Sequence, residues 1–196
     1  MPDARMVLAQ RDELADQLIN HPESLVEGSL LDIGKSGRRD LIPALRAQAK
    51  HGKPQLQHSA VLALARLGET PELQQIVCEL SVTDMGGVSN ISREDLPYIG
   101  GWYSIRLLDD VLHSRIAKDP EYPKGQDPTI PVGYPSWASA VEGLEVLIPS
   151  SRKFERNFKP QWDRYLREHR KELESLQPTG AGVDFGAAAC QRKITE

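Results

Sequence analysis

In the stretch LLDDVLH, Asp109 and His113 stand four positions apart. On a helix that spacing puts two side chains one above the other. A carboxylate and an imidazole so placed can share a metal ion or pass a proton. Either role wants a further group, and no third ligand is evident in the sequence. Ion pairing at a helix surface is therefore expected of them, with no metal bound. His51 and His58 flank a short link and are expected to cap helix ends or face solvent. Asp84, Gly86 and Gly87 in TDMGG make a lone glycine turn, without the GxGxxG or lysine-bearing pattern that cradles phosphate. There is no GxSxG elbow, no HExxH helix, and no cysteine in a His and Asn context. The residues name no catalytic group and call for no cofactor.

All eleven aromatic residues lie after position 97. The first half is thus an aliphatic stack, and the second half is built differently. Large rings fill cores, but Trp and Tyr also concentrate at interfaces. On the second ground Tyr122, Tyr134 and Trp137, beside the proline-rich run KDPEYPKGQDPTIPVGYPS, together with Trp102, are the candidate binding residues. Between Arg152 and Lys171 eight Lys or Arg face Glu155, Asp163 and Glu168, interleaved with Phe154, Phe158, Trp162 and Tyr165. Such interleaving can serve nucleic acid. A terminal helix with its rings inward and its cations in solvent explains the run equally, and the whole chain carries −4. A protein partner is favoured over nucleic acid.

With 39% hydrophobic and 27% charged residues among 196, the chain has the composition of a soluble globular protein. No run reaches the ~18 to 20 apolar residues of a membrane span. Asp3, Asp12, Glu13 and Asp16 stand where a signal peptide would need its apolar centre, so the cytoplasm is the default, with an exported mature chain the alternative. Cys78 and Cys190 are too few for a disulfide framework and are expected to be free thiols; a bridge between them would imply an oxidising compartment.

The elements that must position these groups read as helices. LLDIG at 30–34 recurs as LARLG at 64–68, with Gly34 over Gly68, and each is followed by a polar link and a new apolar helix. Asp40 is a candidate N-cap for DLIPALRAQAK, and Gly52 and Pro54 divide that helix from LQHSAVLALARLG. The second of these is apolar on more than one side, so helices of ~11 to 13 residues, marginal alone, must stack. Thr70 and Pro71 open a third helix. After the loop SVTDMGGVSNISRED, the run 96–118 reads as one helix weakened at Gly100 and Gly101 unless a partner approaches closely there. A helix from Ser136 and a long one from Pro160 follow, and PTGAGVDFGAAACQRKITE reads as a loosely held tail.

The pattern LIPALRAQAKHGKPQLQHSAVLALARLG resembles a HEAT repeat. The resemblance implies an all-α, armadillo-like fold: a short right-handed α-solenoid of about three antiparallel hairpins with irregular insertions, over residues 1–177, with a flexible tail at 178–196. It implies a non-enzymatic scaffold that binds a protein partner with its exposed helical surface. HEAT-like proteins also include glycosylases that remove alkylated bases and lyases that attach bilins, and the enzyme alternative would place an acid such as Asp109 or Asp110 in a groove.

Overall fold

The computed structural model describes residues 4–82, 95–113, 136–186 and 190. The chain is all-α; among the described residues there is no strand. It forms two compact units, Met1–Glu72 and Leu73–Glu196. The loop at 83–94 and the proline-rich run, with Tyr122 and Tyr134, lie outside the described residues.

In the first unit α1 (Ala4–Asn20) leads to α2 (Glu27–Ser36), α3 (Ile42–His51) and α4 (Pro54–Arg66). α4 packs on both α2 and α3. That arrangement explains its composition, since Leu56, Ser59, Ala60, Val61, Leu62, Ala63, Leu64 and Ala65 are all buried and cannot share one face. The small Ala residues let the neighbours close in while Leu64, fully buried, fills the centre with Leu30, Ile33 and Leu45. Each such Leu or Ile contributes about 1.5–3 kcal/mol by leaving water. Gly52 and Lys53 make the two-residue link, and Pro54 sits at the start of α4, where a missing N–H is harmless. The guanidinium of Arg39 donates to the Leu67 carbonyl at 2.9 Å, tying the start of α3 to the end of α4 as an antiparallel hairpin requires.

Two local expectations are corrected. Asp40 does not cap α3; it lies in the 3₁₀ turn Arg39–Leu41, and its carboxylate accepts from Arg38 at 2.7 Å. This hydrogen bond holds the Asp40 carboxyl below the usual carboxylate range. Nor are Gly34 and Gly68 equivalent. Gly34 is buried inside α2, which runs on to a left-handed Gly37 at φ 72°, whereas Gly68 itself follows the end of α4. The 34-residue offset therefore matches apolar positions but not helix ends.

The second unit holds most of α5 (Thr70–Val82), then α6 (Leu96–Ile99), α7 (Gly101–Leu112), α8 (Ser136–Leu147), a 3₁₀ segment Pro149–Asn157, and α9 (Phe158–Glu174). The single helix expected after residue 96 is two, broken at Gly100 with φ 74°. The close partner is the chain's own C-terminal segment. A Cβ on Gly101 would lie 2.4 Å from the Gln177 carbonyl carbon and from the Pro178 nitrogen. The next two amides, of Trp102 and Tyr103, donate to the carbonyls of Leu176 and Pro178, each at 3.0 Å.

The segment beyond 177, expected to be loose, is held at further points. The Asp184 amide donates to Oε1 of Gln74, whose Nε2 donates to the Asp184 carbonyl, both at 2.8 Å. Phe185 meets the ring of Tyr103 and lies under the guanidinium of Arg106. Cys190 is buried and forms a disulfide with Cys78 on α5, so the expectation of two free thiols is corrected. The physical reason is this docking, which brings together two thiols 112 positions apart.

Candidate functional site

α7 is buried almost all round: Tyr103, Ser104, Ile105, Leu107, Leu108, Asp109, Val111 and Leu112 are all inside. α8, α9 and the C-terminal segment share the task of covering it. A carboxylate at position 109 therefore starts from a buried place and needs partners. They come from α9, where apolar positions keep helical spacing and set Trp162 inward with no exposure. Its indole N–H donates to Oδ1 of Asp109 at 2.8 Å.

His113 caps the end of α7. Its Nδ1 lies 2.9 Å from the main-chain oxygen of Asp109 and 3.2 Å from that residue's Oδ1. Its Nε2 lies 3.0 Å from Oδ1 of Asp163, one residue past Trp162 on α9. The three side chains are 10%, 16% and 42% exposed for Asp109, His113 and Asp163 respectively, so Asp163 is the member most open to solvent. One donor atom of each lies within 4.8 Å of the others.

The expected contact between Asp109 and His113 is thus present, though in a nearly buried place and with a third member. Asp163 escaped the sequence reading because fifty residues separate it from His113 and it stands among cations. Its one signal was its place beside an inward-facing Trp on an amphipathic helix.

The basic run sorts cleanly by face. Phe154, Phe158, Trp162, Tyr165 and His169 form a ladder of rings with successive centroids 4.2–6.3 Å apart. Arg152, Lys153, Lys159, Arg164, Arg167, Arg170 and Lys171 are exposed. Of the aromatic binding candidates, Trp102 is half-buried on α7, and position 137 falls in α8 with its side chain outside the described residues. Tyr103 donates its hydroxyl to the Leu73 carbonyl at 2.7 Å, and burial pushes its phenol far above the ordinary range. His51 closes α3 in solvent.

The first unit carries an open groove of about 510 Å³, lined by Leu25, Val26, Glu27, Gly28, Lys53, Gln55 and Leu56. Leu25 and Leu56 are its buried floor, and Val26 stands at its rim, 62% exposed. The helices α2 and α4 both begin there, at N-cap residues Val26 and Lys53, and neither is capped by a side chain. Pro54 has no N–H, and the Ser29 and Leu56 amides donate to the Val26 and Lys53 carbonyls, so Glu27, Gly28 and Gln55 supply the remaining first-turn amides at the positive ends of the two helix dipoles.

Among the described residues no helix is long and apolar enough to cross a membrane. Compared with protein-family models, with curated proteins and with solved structures, the chain matches none.

Proposed function

We propose that the chain is a protein-binding module built as a short HEAT-like solenoid, and that the groove of the first unit is its main contact surface. The observation that carries this reading is the meeting of an apolar floor, an exposed Val26 and two uncapped helix starts in one open place. The occupant is an extended segment of a partner protein. An aliphatic side chain of the partner covers Leu25 and Leu56, and its carbonyl or carboxylate oxygens cap the first-turn amides. Gln55, an exposed position of the second hairpin helix, is one of the contact groups.

The HEAT-like reading is supported by the tight hairpin of α3 and α4 and by the packing of α4 between two neighbours. Tyr122, Tyr134, Trp137 and Trp102 belong to the same proposal as a second recognition surface, which alanine replacement at Tyr134 and Trp137 would test. The disulfide shifts the preferred setting from the cytoplasm to an oxidising compartment.

Val146 on α8 is a matched control, since it is 57% exposed and Val26 62%. A photo-crosslinking residue at position 26 is expected to capture a protein that the same residue at 146 does not. Val26→Asp should weaken that complex by about tenfold, the effect of losing one apolar hot-spot contact. Equal capture from both positions, or a complex indifferent to Val26→Asp, would refute the reading.

A further inference from the structure

We propose that Asp109, His113 and Asp163 bind a divalent transition-metal ion of the Zn²⁺ class, which clips α9 to α7. Three features carry this independently of the groove. First, the donors converge from two elements: an i,i+4 pair at the end of α7 and a carboxylate from α9, with one atom of each inside 4.8 Å. Around a tetrahedral ion with bonds of about 2.0–2.2 Å, neighbouring ligand atoms stand roughly 3.3 Å apart. The 3.0 Å between Nε2 of His113 and Oδ1 of Asp163 already approaches that.

Second, the ring is oriented as a metal-binding imidazole is. Nδ1 is held 2.9 Å from the Asp109 carbonyl oxygen, which as Nδ1–H it donates to, leaving Nε2 for the ion beside Asp163. The Trp162 indole N–H donates to Oδ1 of Asp109, the kind of outer hydrogen bond that ligating carboxylates receive. Third, the donor chemistry is right. Two carboxylates and one imidazole form a nitrogen and oxygen set suited to Zn²⁺, Co²⁺ or Ni²⁺. Asp163, 42% exposed, marks the side open to solvent, where water completes the coordination shell.

The test uses the full oxidised chain stripped of metal. Titration with Co²⁺, followed by visible absorption, and with Zn²⁺, followed by calorimetry, is expected to show a single saturable site. Zn²⁺ should raise the thermal midpoint. His113→Ala and Asp163→Asn should each weaken binding by at least about tenfold and abolish that thermal shift. His51→Ala, at an exposed position on α3, should change neither. If His113→Ala fails to fold by circular dichroism, Asp163→Asn carries the test alone. No saturable uptake of either ion by the wild-type chain overturns the proposal, as does wild-type affinity in Asp163→Asn.

Discussion

Replacing Gly101 by Ala probes the docking of the C-terminal segment at its tightest point. At φ 66° an L residue is in the left-handed region, which costs it about 1–2 kcal/mol. The new methyl would also sit 2.4 Å from the Gln177 carbonyl carbon and the Pro178 nitrogen. These are main-chain atoms, so no side-chain rotation relieves the clash. The strand of chain must lift, and lifting it breaks the bonds from the Trp102 and Tyr103 amides to Leu176 and Pro178. Each is worth about 1 kcal/mol net. The expected loss is therefore about 3–4 kcal/mol, a fall of roughly 1.5–2 M in urea midpoint at a slope near 2 kcal/mol/M.

Tryptophan fluorescence is the right assay, because Trp102, Trp137 and Trp162 all belong to the second unit and the first has no aromatic residue. Amide exchange gives a second readout, since the Trp102 and Tyr103 amides should lose protection. Gly28→Ala is the control. A Cβ there meets nothing within 4 Å, and in the first turn of α2 the change should stabilise by about 0.5–1 kcal/mol. A cost below about 1 kcal/mol for Gly101→Ala would refute the claim that this contact is rigid.

Three other outcomes follow from the packing. Reducing the Cys78–Cys190 bond, which closes a loop of 112 positions, should cost about 2–5 kcal/mol in a denaturant titration, and the unfolded, unreduced chain should show no titratable thiol. Tyr103 is kept neutral by burial, so its folded value is raised above the unfolded value of about 10; its contribution to stability is fully present below that pH and is lost as pH rises beyond it, which stability measured across the alkaline range would reveal. Tyr103→Phe should remove that dependence and cost about 1–3 kcal/mol by orphaning the Leu73 carbonyl. Leu64→Ala should cost about 2–5 kcal/mol by circular dichroism, because the surroundings of a fully buried α4 position cannot collapse into the space.

The hairpin was legible in the sequence because its signals are local. Pro54 and Gly52 mark the link, and eight buried positions in thirteen announce a helix with partners on two sides. Asp40 misled because a cap depends on where the helix starts, and an adjacent guanidinium outbid the first-turn amides. The matched glycines misled for a related reason: a glycine can end a helix, as at Gly68, or sit buried inside one, as at Gly34, and spacing alone does not tell these apart.

The candidate metal site was half legible for a different physical reason. Asp109 and His113 share one helix, so their relation follows from the helical period. Asp163 joins them through the docking of α9, which the inward Trp162 determines and no spacing encodes. One requirement links this site to the docked C-terminal segment. A helix of twelve residues with Tyr103, Leu107, Leu108, Asp109 and Leu112 all inside must be enclosed from several directions. Gly143 on α8 lets that helix come close to Leu108, where a Cβ would lie 2.9 Å away. α9 supplies the partner for the buried carboxylate, and the segment after 176 occupies the start of α7, where two glycines leave room. The Gly-rich C-terminal sequence looks like a loose end only when read apart from the Gly100–Gly101 break that receives it.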